Sequence, residues 1–121
     1  MSRKLVGCVY ALVRALPPDE RFVAGPQLRR AVWSVANNVA EGNAKLGPRE
    51  RRRFLDSALG SLAEIDSMVV TLGDLYVLDV KTVADIDQLR RDITGCIFGL
   101  LRRRSPTQAL PSMPSMPSMP S

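Results

Sequence analysis

The chain has 121 residues, room for one domain around a single apolar core. Seventeen Lys and Arg against twelve Asp and Glu give a net charge of +5, a surface suited to phosphate or acidic partners, and fourteen of those cations are Arg. Histidine is absent, which removes the usual general base near neutral pH and the commonest metal ligand, and with them most hydrolase and metalloenzyme templates.

Leu5, Cys8, Val9, Leu12, Val13 and Leu16 recur at three- and four-residue steps and predict a first amphipathic helix, which Pro17 and Pro18 end. Asp19-Glu20-Arg21 reads as a turn. A second stripe follows through Leu28, Ala31, Val32, Val35 and Val39, with Gly42 and Gly47 bracketing its exit. Pro48 suits the first turn of a third helix and Glu50 its positive end, and Leu55, Ala58, Leu59, Leu62, Ile65, Val69 and Leu72 then hold helical period. Leu75 and Tyr76 keep that period, so the helix is carried past Gly73. Thr82 and Asp85 read as a capping box for a fourth helix, with Val83, Ile86, Leu89, Ile93, Ile97, Leu100 and Leu101 inward and Arg102 to Arg104 at its negative end.

No segment alternates with the period of a half-buried strand, so the expected fold is all-α: an antiparallel up-down four-helix bundle over residues 1–104. From Ser105 to Ser121 the composition changes to Pro, Ser and Met without charge, a tail read as disordered. Uncharged runs of the bundle such as Ile93 to Leu101 are far short of the ~20 residues of a membrane span. No signal-like run opens the chain, since Arg14 and Pro17 interrupt it. The expectation is a soluble, cytoplasmic protein with no membrane contact. Cys8 and Cys96, on apolar stripes of different helices, read as small core residues and not as a disulfide.

Two stretches together carry a family resemblance: Gln27-Leu-Arg-Arg-Ala-Val-Trp-Ser-Val-Ala-Asn-Asn-Val-Ala-Glu-Gly42 and Arg53-Phe-Leu-Asp-Ser-Ala-Leu-Gly-Ser-Leu-Ala-Glu-Ile65. From about Val9 to Leu101 the chain resembles the bacterial four-helix-bundle proteins encoded in intervening sequences of large-subunit ribosomal RNA genes, a group that includes the accessory variability determinants of diversity-generating retroelements. The resemblance implies a basic bundle assembled into a homo-oligomeric, five-fold ring, with nucleic acid and a reverse transcriptase as partners. Family members begin with at least one further turn bearing a Phe and a Trp, so Met1 falls inside the position of that helix. The Pro-Ser-Met tail has no counterpart in the family pattern.

The densest positive cluster is Lys45, Arg49, Arg51, Arg52 and Arg53, where the second helix hands over to the third, with Arg29 one helix away. Such a cluster suits phosphate contact by counterion release, tolerant of sequence and of RNA or DNA, and a ring would multiply it; the competing reading is a solvated helix flank paired with Glu50 and Asp56. Arg30, Asn38, Glu41 and Glu64 form the polar set of the two family stretches. A carboxylate pair could in principle do acid-base work, but a buried network that sets helix register is the preferred reading. Trp33 and Tyr76 could stack on bases; contact between subunits is preferred. Gly95 and Gly99 point to close helix approach, within the chain or between subunits. With no ligand-spaced Cys pair, phosphate-cradling Gly loop or nucleophile elbow, the expectation is a non-enzymatic accessory protein without metal or cofactor. The alternative is a protein-protein interaction scaffold that binds no nucleic acid.

Overall fold

A computed structural model describes residues 1–44 and 47–102; Lys45, Arg103, Arg104 and the tail lie outside the described residues. Within them the chain is all-α, with four helices and no strand: α1 (Ser2–Ala15), α2 (Pro18–Gly42), α3 (Pro48–Leu75) and α4 (Val80–Arg102).

In α1 the predicted stripe is the buried one, Leu5, Val9, Leu12 and Val13, and the helix stops at Leu16, whose backbone is extended ahead of Pro17. The expected turn at Asp19-Glu20-Arg21 is instead the first turn of α2. Pro18 occupies the first helical turn, where its missing N–H costs nothing, and Asp19 and Glu20 meet the positive end of the dipole. The linker shrinks to Leu16 and Pro17. Pro26 then lies inside α2, where proline costs about 3 kcal/mol. Burial of Ala24, Leu28, Ala31, Val32 and Val35 along the same helix offsets that cost.

Gly47, extended, precedes Pro48 at the start of α3, and Leu55, Ala58, Leu62, Ile65, Val69 and Leu72 are buried. Gly73 does not end this helix; the chain leaves it at Tyr76, which is extended. The fourth helix opens earlier than expected. Asp79 caps it, its Oδ2 accepting the backbone N–H of Thr82 at 2.9 Å and the Thr82 hydroxyl at 2.7 Å. These bonds hold the Asp79 carboxyl below its ordinary value. Thr82 is therefore a donor to the cap and not the cap, and Asp85 pairs with Lys81 at 2.7 Å. Ile86, Ile93 and Ile97 are buried, with Val83, Leu89, Leu100 and Leu101 partly so.

Each helix packs on two others, α1 on α2, α2 on α3, α3 on α4, and α4 back on α1, around one core. Along α2 and α3 the partners run Gly42 with Leu55, Ser34 with Ser61 and Glu20 with Tyr76, so residue numbers fall on one helix as they rise on the other. Among the described residues no helix is long and apolar enough to cross a membrane.

Candidate nucleic-acid interface

Arginines crowd the start of α3 because Pro48 begins the helix just before them and the apolar stripe does not start until Leu55. Arg49, Arg52 and Arg53 are exposed and Arg51 is half-buried. Arg53 is partly engaged: its Nη2 lies 2.9 Å from Glu50 Oε2, and its guanidinium carbon sits 4.7 Å from the centroid of the Phe54 ring. The hydrogen bond from Arg53, then its charge, holds the Glu50 carboxyl below its usual value. Arg49, Arg51 and Arg52 make no ion pair among the described residues. The positive end of the α3 dipole adds to their field.

Gly42 lets α2 end against this cluster. A Cβ there would lie 2.6 Å from Leu55 Cδ2, inside contact distance of a fully buried side chain, so only glycine permits the approach as it stands. Arg29 does not join the group. It lines a surface hollow with Pro18, Arg21, Phe22 and Pro26, and the pairing of Ser34 with Ser61 puts it about 20 Å along the bundle from Arg52. Helix register, invisible in sequence proximity, separates them. Arg102 is exposed in the last turn of α4.

The expected buried network of Arg30, Asn38, Glu41 and Glu64 is not formed within the chain. Arg30, Glu41 and Glu64 are exposed, and Asn38 Nδ2 donates to the Ser34 carbonyl at 2.8 Å and its hydroxyl at 3.0 Å. The hydrogen bond that crosses from α3 to α2 is from Ser61 Oγ to Ser34 Oγ, 2.8 Å. These small hydroxyls sit at the edges of the apolar stripes, close enough to the seam to meet, whereas the long charged side chains lie on the outer faces.

Trp33 is 48% exposed and its Nε1 donates to the Tyr10 hydroxyl at 2.9 Å, tying α2 to α1 and leaving much of the indole uncovered. Tyr76 is used inside the chain: partly buried, it donates to Glu20 Oε1 at 3.0 Å. Gly95 and Gly99 have no neighbour within 4 Å of an added Cβ, so no helix of the same chain approaches them, and Phe98 beside them is 47% exposed. Cys8 is half-buried, its thiol pushed up by burial, and Cys96 is exposed, so only the first resembles the core residue expected; both are free thiols.

Sequence reading missed a second charged assembly, between α3 and α4. Arg90 Nη2 lies 2.7 Å from Asp87 Oδ1 and its Nε 3.4 Å from Asp66 Oδ1, while Arg91 also pairs with Asp87. The Arg90 hydrogen bond chiefly, with the charge of Arg91, holds Asp87 below its usual value against some desolvation. The Asp87–Arg90–Arg91 spacing of three and four residues was a readable signal; the partner Asp66 on another helix was not.

Comparison with curated proteins and with solved structures gives no significant match. The family model for the 23S rRNA-intervening sequence protein matches residues 1–99, nearly the whole described chain. Together with the four helices and the two stretches of α2 and α3 described above, that coverage places the chain in the family of 23S rRNA-intervening sequence proteins.

Proposed function

We propose that the protein is a non-catalytic accessory protein that binds nucleic acid, RNA or DNA, through the arginines at the start of α3. The observation that carries this reading is that Arg49, Arg51 and Arg52 stand together at one helix end without ion-pair partners among the described residues. Contact would be to phosphate and tolerant of sequence. The opposed numbering along α2 and α3 supports an antiparallel up-down bundle. Trp33 and Phe98, about half exposed, with Gly95 and Gly99, which no helix of the same chain approaches, supply the subunit contact of a homo-oligomeric ring, a pentamer by family resemblance, which repeats the cationic end around an axis. In the cytoplasm such a ring would assist a reverse transcriptase or another RNA-handling partner.

The test is fluorescence anisotropy with mixed-sequence single-stranded RNA and DNA across a salt series. Binding should weaken steeply with salt, and changing Arg49, Arg51 and Arg52 to Gln should flatten the log-log slope by about two units. No binding at low salt would overturn the reading. The second reading, a protein-protein scaffold without nucleic acid, is favoured by the exposed apolar side chains Phe22, Val77 and Val80. A partner retained after nuclease treatment, with no direct nucleic-acid binding, would establish it.

A further inference from the structure

Where α3 ends and α4 begins, the two helices enclose an open groove of about 550 Å³. Its walls are aliphatic, Val69, Val70, Leu78, Val80 and Val83, and its rim carries Asp66, Asp74 and Asp87 against the single cation Arg90. Val70 is 58% exposed, Val80 82%, and the flanking Leu75 and Val77 are exposed too. One exposed valine means nothing, but a run of them lining a concavity is the signature of an interaction surface.

The electrostatics select the occupant. The protein carries +5 overall, yet this rim keeps a spare negative charge: Asp66 and Asp87 are bonded to Arg90 and Arg91, while Asp74 is exposed without a hydrogen bond or ion pair among the described residues. The last-turn carbonyls of α3 add negative potential, while Asp79 covers the opposing positive end of α4. A concave slot of about 550 Å³ suits one row of side chains from a single segment.

We infer that this groove docks an amphipathic, Lys- or Arg-bearing segment of another protein, its aliphatic side chains against Val69, Val70, Leu78, Val80 and Val83 and its cation at Asp74. The site is distinct from the cationic start of α3 and does not rest on the nucleic-acid reading.

The probe is a fluorescein-labelled model peptide of about four helical turns, Leu on one face and Lys on the other, titrated against the full chain by anisotropy. A matched peptide with Glu in place of Lys is the control. The cationic peptide should bind and the acidic one should not. Asp74→Lys should weaken binding about tenfold or more by setting like charges together, and Val70→Ser should weaken it severalfold by removing apolar contact. Both positions are exposed on a helix, and circular dichroism checks that each variant keeps its helices. Neutralising Arg49, Arg51 and Arg52 should leave peptide binding intact. Equal binding of both peptides, or affinity unchanged in both groove variants, overturns the proposal. So does a fall in mass of Val70→Ser by light scattering with no peptide binding to the parent chain, which would make the groove a contact between copies.

Discussion

The third helix begins among arginines and ends, about 40 Å away, among valines and carboxylates. At its start the cations outnumber Glu50 and among the described residues only Arg53 is paired; around its far end and the first half of α4 the cations Lys81, Arg90 and Arg91 are all bonded to aspartates. Net charge alone hides this. What a basic protein offers a partner is the charge it has not already spent internally, and that is set by which side chains the packing brings within reach. The two ends of one helix thereby present fields of opposite sign, and the proposed partners, phosphate at one and a cationic segment at the other, follow from that difference.

The comparison can be broken most directly at the arginines. Replacing Arg49, Arg51 and Arg52 by Gln should cost about a hundredfold in affinity for single-stranded nucleic acid near 0.1 M salt, whereas Asp74→Asn at the far end should leave it within twofold or raise it slightly, both read by anisotropy. A loss of similar size from both would show that overall charge, and not one end, does the binding. Next in size is the helix junction beneath that cluster. Gly42→Val drives a side chain into Leu55 and should cost about 1–3 kcal/mol, seen as a lower Tm. Gly60→Ala, where nothing lies within 4 Å, should stabilise by about 0.5–1 kcal/mol.

Gly99→Leu acts on neither end but on the outer face of α4. It should lower the mass measured by light scattering if that face is the subunit contact; unchanged mass and Tm would rule that face out as a contact. The smallest effect belongs to the cap at the acidic end. Asp79→Ala should lower Tm at neutral pH, because a carboxyl held below its unfolded value contributes stability above about pH 4. That contribution disappears as pH falls through the lowered folded value, so parent and variant should converge in strong acid. A gap that persists there would mean the cap acts by something other than its charge.

Much of the fold was legible from spacing, because a helix buries one face and writes that face at three- and four-residue intervals. Leu55 to Leu72 on α3 are the clearest case. The start of α2 departs from the expected turn because Pro18, which cannot continue α1, opens α2, proline at the first helical position starting a helix as readily as it ends one. Asp79 was missed as a cap because Thr82 and Asp85 match a familiar spacing. Of the candidate site, the cluster at Arg49 to Arg53 could be seen as a run of charge, while the displacement of Arg29 from it depends on how far α2 slides along α3.

Sequence by itself determined the four amphipathic helices, the absence of imidazole chemistry, the positive balance and the family, since each is a property of local order or composition. Tertiary structure alone decided which charges remain unpaired, that Ser34 and Ser61 bridge where Arg30 and Glu64 do not, and that Asp66, Asp74 and Asp87 share a rim with exposed valines. Those relations join residues of different helices, and their distances follow from register and packing, which no spacing along one chain segment encodes.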